Sequence, residues 1–231
     1  MNQASIKIAD RDIRGIIFDM DGLLLDTEAL YIKAWVPVGG MMGIPITAEI
    51  ARSTVGHDSK STEEAFQKHF ADFTLERARP LISQWLTEYV AEHSIDVKPG
   101  ARELLEFFKK RGFPLAIGSS NRQQYAEAYL GEVDLLRYFD TIVTADLVGR
   151  AKPAPDIFLQ AAKNLGLSPE QCLVLEDSPI GAQAAYEAGC LTILVPDLIQ
   201  PCAMTRERVW QVLPNLLYVP NALFGTGATN G

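Results

Sequence analysis

Gly15-Ile16-Ile17-Phe18-Asp19-Met20-Asp21-Gly22 is the stretch on which the reading of the fold turns. Three consecutive bulky apolar residues stop at a carboxylate, and Asp-Gly follows two residues on. A short apolar run closed by turn formers is the pattern of a strand buried on both faces, with acidic groups delivered at its end. Comparable runs recur at Leu115–Gly118, Thr141–Ala145, Cys172–Leu175 and Leu191–Val195. Between them lie helical patterns at Ala101–Arg111, Arg122–Leu130, Pro155–Leu165 and Ile180–Ala188. Pro99 precedes the first of these, and Gly112, Gly166 and Gly189 stand where a helix ends in a left-handed residue. Strands alternating with helices of this length predict an α/β fold: a doubly wound, Rossmann-like parallel sheet.

Residues 28–95 break this alternation. They lack strand runs and read as helical, as in Glu63–Phe70 and Leu81–Glu92, and they hold His57, His69 and His93. The expectation is a discontinuous catalytic core, 1–27 and 96–231, with a small helical cap domain, 28–95, inserted into it. Pro37, Gly39 and Gly40 interrupt the first cap helix, where a break or kink is expected. His69 and His93 read as surface or packing residues. The glycine-rich tail 225–231 follows no strand and opens no helix, so it reads as a flexible terminus rather than a phosphate loop.

The chain has 231 residues, 48% hydrophobic and 22% charged, enough to bury a sizeable core. A net charge of -8 argues against nucleic acid or an anionic membrane as the main partner. No apolar run approaches the ~18 residues of a membrane span, and the N-terminus carries no apolar signal core. Cys172, Cys190 and Cys202 follow no metal-ligand spacing and read as buried apolar thiols. We therefore expect a cytoplasmic monomer that binds a small molecule.

Ligands of a doubly wound sheet sit outside the carboxyl ends of its strands. The first strand delivers Asp19 and Asp21 there; the second delivers Ser119-Ser120-Asn121. The third ends at Asp146 with Lys152-Pro153 beyond it, and the fourth runs into Glu176-Asp177-Ser178. Taken singly, an aspartate at a strand end is a turn former and Ser-Ser-Asn a helix cap. Together they describe a site for a hard cation and a phosphate. Asp19, Asp21, Glu176 and Asp177 form an oxygen-only set suited to Mg²⁺. Ser119, Ser120 and Asn121 open a helix where amides can meet phosphate oxygens, and Lys152 offsets the negative charge.

These four segments resemble, in order and over nearly the whole chain, the motifs of the haloacid dehalogenase superfamily. The motifs are Phe18-Asp19-Met20-Asp21-Gly22, Ser119, Lys152-Pro153-Ala154-Pro155-Asp156 and Glu176-Asp177-Ser178. The insert is similar to the C1-type cap of its β-phosphoglucomutase and phosphoglycolate phosphatase branch. The resemblance implies a phosphatase of small phosphorylated metabolites, such as sugar or polyol phosphates. Asp19 would be the nucleophile that forms an aspartyl-phosphate, and Asp21 the general acid and base. Mg²⁺ would be held by Asp19, the Asp21 carbonyl and Asp177, with Glu176 in support, and Lys152 would stabilise charge. Dehalogenases of the superfamily lack the second aspartate, so Asp21 favours phosphoryl transfer. In the cap, Thr27 and Glu28 flank the expected hinge, and Gly56–Lys60 falls where such caps reach substrate. Lys60 is the candidate for a distal anionic group and His57 a further candidate contact. A phosphomutase is the alternative, although that group carries a histidine where this chain has Tyr31. A receiver-like phospho-acceptor is the third reading, disfavoured by the length and the cap.

Overall fold

A computed structural model describes residues 4–55 and 59–225. The chain divides into two compact units, one running to Leu25 and resuming at Val97, the other Asp26–Asp96. The first unit opens with an antiparallel hairpin of β1 (Ile6–Ile8) and β2 (Arg11–Ile13). Its main sheet comprises β3 (Gly15–Phe18), β4 (Leu115–Ser119), β5 (Thr141–Thr144), β6 (Cys172–Glu176), β7 (Leu191–Leu194) and β8 (Gln211–Val212). All neighbouring pairs are parallel, in the order β5-β4-β3-β6-β7-β8. The doubly wound fold expected from sequence is therefore the fold observed. The four central strands are buried along their whole length, as apolar runs in a sheet covered on both faces should be. The edge strands β5 and β8 are partly exposed.

Helices α5 (Ala101–Lys110), α6 (Gln123–Glu132), α7 (Asp156–Asn164), α8 (Pro179–Ala188), α9 (Ala203–Arg208) and α10 (Val219–Phe224) complete this unit. One face of the sheet packs Ile17, Ala116, Val143 and Val174 against Phe158 of α7 and Ala184 of α8. Phe18 meets Phe108 of α5 edge-on at 6.1 Å. The glycines expected to close helices, Gly112, Gly166 and Gly189, have φ of 77°, 71° and 84°. Cys172 and Cys190 are buried as expected, but Cys202 is exposed. It stands at the start of α9 with Sγ 3.4 Å from Thr205 Oγ1, so the thiol pairs with a hydroxyl of a surface helix instead of filling the core.

The second unit holds α1 (Thr27–Met42), α2 (Ala48–Arg52), α3 (Ser59–Gln67) and α4 (Leu75–Glu92). The break expected near Pro37 does not occur, for α1 runs through Pro37, Gly39 and Gly40 and stops at Gly43 in the left-handed region. Burial of Ala34, Trp35 and Val38, with Trp35 packed on Phe66 at 4.5 Å, outweighs the hydrogen bond lost at proline. Likewise α4 begins at Leu75 and carries Pro80 inside it, six residues before the start expected at Leu81. His69 and His93 are both exposed, His93 stacking on Tyr89 at 4.3 Å, in keeping with surface positions. His57 and residues 226–231 lie outside the described residues.

Candidate active site

The order of the sheet places its switch point at β3. From there the chain builds outward through β4 and β5 on one side and through β6, β7 and β8 on the other. Phe18 is level with both Ile117 and Leu175, so the next residues along the three strands are Asp19, Gly118 and Glu176. A crevice at the carboxyl ends of such strands is where this architecture binds ligands.

Asp19, Glu176 and Asp177 are buried there, each with a carboxylate oxygen within 4.8 Å of the others. Lys152 links two of them: its Nζ donates to Asp19 Oδ1, and to Glu176 Oε1 at 2.7 Å. The lysine side chain is only 4% exposed, and its ammonium also lies 4.8 Å from the Phe158 ring centroid. Burial works against that charge, but Asp19 and Glu176 outweigh it and hold the lysine pKa above its ordinary value. Burial pushes the Asp19 carboxyl up to about 8, with Glu176 and Asp21 adding to the rise and Lys152 opposing it. The same edge therefore holds more negative groups than one ammonium can balance, and all the donors are oxygens. Such a set fits a hard divalent cation.

Asp21 and Ser119 are brought together across the gap between β3 and β4. Ser119 Oγ donates to Asp21 Oδ2 at 3.1 Å and accepts from the Asn121 amide at 3.0 Å. The helix start proposed as an anion cradle is thus largely taken up by its own chain. The Arg122 amide donates to Asn121 Oδ1, and the Gln123 amide to Asp146 Oδ1 at 3.1 Å. Asp146 also accepts from Thr144 Oγ1 at 2.6 Å, which holds its carboxyl below the usual range. Ser120 is exposed and Asn121 half-buried.

On the other side, Glu176 is fixed at both oxygens. Its Oε2 accepts from the Ser178 amide at 2.8 Å and from Ser178 Oγ at 3.0 Å, and Ser178 Oγ in turn accepts from the Gly181 amide. Gly181 passes so close that a Cβ there would lie 1.6 Å from Glu176 Oε1. Gly22 is similar: with φ of 82°, its Cβ would lie 2.3 Å from Asp177 Oδ2. Neither glycine was singled out from sequence, nor was Asp197, which follows β7 as Asp177 follows β6. A polar residue beyond a further strand on the same edge was the signal available for it.

Lys60 and Tyr31 belong to the second unit. Lys60 lies on α3, exposed, with Nζ 3.9 Å from Glu64 Oε1 one turn away. Tyr31 lies on α1 and is 37% exposed. Among the described residues no helix is long and apolar enough to cross a membrane.

Residues 13–189 match the family model of haloacid dehalogenase-like hydrolases. The chain is 35% identical over 186 residues to a phosphorylated carbohydrates phosphatase of Thermotoga maritima, covering 77% of this chain and 82% of that protein. It is 37% identical over 182 residues to the fructose-1-phosphate phosphatase YqaB of Escherichia coli, covering 76% and 92% respectively. Among solved structures, a Thermotoga maritima protein provisionally named a β-phosphoglucomutase superimposes with a TM-score of 0.76 at 30% identity, covering 92% of this chain and 99% of that one.

Proposed function

The chain belongs to the haloacid dehalogenase-like hydrolase family, and on that premise we propose that it is a phosphatase of small phosphorylated carbohydrates. The observation that carries this reading is the buried lysine held between Asp19 and Glu176 at the switch point of the sheet. Phosphatases of phosphorylated carbohydrates and of fructose 1-phosphate among its relatives support the substrate class.

In this reading Asp19 is the nucleophile. Its carboxylate attacks phosphorus, the ester P–O bond breaks, and Asp21 gives its proton to the departing sugar oxygen. The resulting aspartyl-phosphate is cleaved when Asp21, now a carboxylate, takes a proton from the water that attacks phosphorus. Inorganic phosphate leaves and Asp19 is restored. Ser119, bonded to Asp21, holds that side chain in place and so supports both proton transfers. Lys152 keeps the nucleophile oriented and offsets charge on the transferring group. Asp19, the Asp21 carbonyl and Asp177, with Glu176 alongside, are the groups that would hold Mg²⁺. The ion would supply the positive charge that lets a phosphate dianion approach these carboxylates. Ser119, Ser120 and Asn121 are kept as candidate phosphate contacts, and Lys60 as the candidate for a distal anionic group of the substrate.

A panel of phosphorylated sugars and polyols, assayed for released phosphate with Mg²⁺ and with chelator, tests the proposal. Turnover should require the metal and vanish in Asp19→Asn; absence of turnover across the panel would sink it. The likeness to a protein named as a β-phosphoglucomutase keeps one second reading, a phosphomutase. Interconversion of hexose 1- and 6-phosphates without matching phosphate release would select it.

A further inference from the structure

An ion pair outside the cluster reaches the loop that carries Asp21. Lys98 Nζ lies 2.6 Å from Asp197 Oδ1, with the two side chains 22% and 15% exposed. Lys98 is also tied to that loop through its backbone, its amide donating to the Leu24 carbonyl at 2.8 Å. Residues 20–25 form a tight turn, in which the Leu24 and Leu25 amides donate to the Met20 carbonyl and the Gly22 amide to Leu25, and Leu25 is also bridged antiparallel to Val97. Asp197 comes from the same edge of the sheet two strands away, three residues past the end of β7 at Leu194. Its second oxygen, Oδ2, is buried without a hydrogen-bond partner. It faces Gly22, where a Cβ would lie 3.5 Å from Asp197 Oδ2 and 2.3 Å from Asp177 Oδ2. Both carboxylates therefore crowd the side of Gly22 where a Cβ would project, and one of them belongs to the acidic cluster.

We propose that Lys98 and Asp197 are positioning residues for phosphoryl transfer, pinning the 20–25 loop so that Asp21 stays on Ser119 and Gly22 stays packed on Asp177. The proposal rests on the phosphatase reading above. A half-buried charge pair suits this task, because without the Lys98 ammonium the Asp197 carboxylate, whose Oδ2 already lacks a hydrogen bond, is left uncompensated, so the arrangement tolerates little drift. Shifts of about 1 Å in a reacting group cost on the order of 10²-fold in rate, so a pin one residue from Asp21 has leverage on kcat. Neither side chain needs to touch the substrate for this.

The test uses the full-length protein with Mg²⁺ and p-nitrophenyl phosphate, comparing wild type with Lys98→Met, Lys98→Arg and Asp197→Asn. Lys98→Met and Asp197→Asn should lower kcat by roughly 10-fold or more with KM within about 2-fold, and Lys98→Arg should recover most of the rate. Hydrogen exchange supplies the second readout. The Leu24 and Leu25 amides should lose protection in the first two variants, while amides of β4 and β6 keep theirs. Wild-type kcat in Lys98→Met and Asp197→Asn would overturn the proposal. So would protection lost evenly across the sheet, since that marks a general stabilising role. Wild-type protein inert toward every phosphomonoester would instead sink the phosphatase reading, and the exchange arm would still decide whether the pair pins the loop.

Discussion

Gly181→Ala adds a single methyl group at the most crowded point of the site. The new carbon would lie 1.6 Å from Glu176 Oε1, 2.0 Å from its Cδ and 2.5 Å from Oε2. Ordinary contact requires about 3.5 Å, so the carboxylate or the first turn of α8 must retreat by between 1 and 2 Å, roughly. The end of a glutamate usually swings away at little cost, but this one is 1% exposed and already bonded at both oxygens, to Lys152 and to Ser178. Moving it breaks the lysine bridge or the cap of α8. Overpacking of this kind costs about 1–3 kcal/mol, which for a chain of this size lowers Tm by roughly 2–12 °C. The rate should suffer more than the stability, because Lys152 loses Glu176, the carboxylate that aims it at Asp19. We expect phosphate release to fall about 10²-fold. Shortening the acid gives the internal control: Glu176→Asp withdraws the carboxylate by one methylene. The double variant should therefore be less impaired than the two single losses predict, a coupling read by a double-mutant cycle. Wild-type kcat and Tm in Gly181→Ala, or strict additivity with Glu176→Asp, would refute this reasoning.

Two further outcomes follow from the same contacts. Lys152→Met leaves the buried carboxylates of Asp19 and Glu176 without their ammonium, and should abolish turnover while destabilising the fold by about 3–5 kcal/mol; a wild-type Tm in thermal unfolding would contradict the bridge. Asp146 accepts from Thr144 and from the start of α6, and its carboxyl titrates below its ordinary value. Its contribution is therefore present above the unfolded pKa near 3.8 and lost as pH falls through the lower folded value. The Tm gap between wild type and Asp146→Asn should narrow between pH 5 and roughly 2; a gap constant with pH would be evidence against it.

The central strands were legible because they are buried on both faces, so that Gly15–Phe18 and Cys172–Glu176 show as unbroken apolar runs. The β1–β2 hairpin was not. Its turn places Ala9 and Asp10 at φ of 46° and 64°, a conformation usually announced by Asn-Gly, and its strands are only three residues long. Proline misled in α1 and α4, where tertiary burial overrides a local penalty. In the site, the residue types at the strand ends told of carboxylates, a serine and a lysine converging on one edge. They did not tell that Ser119 spends its proton on Asp21, or that the Asn121, Arg122 and Gln123 amides are consumed locally. Those facts depend on which side chain turns back on its own loop, and nothing in the spacing records that. Asp197 was hidden for another reason, since its partner Lys98 lies 99 positions away.

The place of β3 at the middle of the sheet has a consequence for how the protein is made. The strand that leads into Asp19 leaves the ribosome well before either of its two neighbours. Leu115 pairs with Ile16, and Cys172 with Gly15. At about 5–20 residues per second, the nascent strand waits on the order of 8 to 30 seconds for its β6 partner to be synthesised. Through that interval a bare hydrophobic edge is open to any other strand. The protein's exposure to misassembly, and its need of a chaperone, should therefore peak before the chain has reached Glu176.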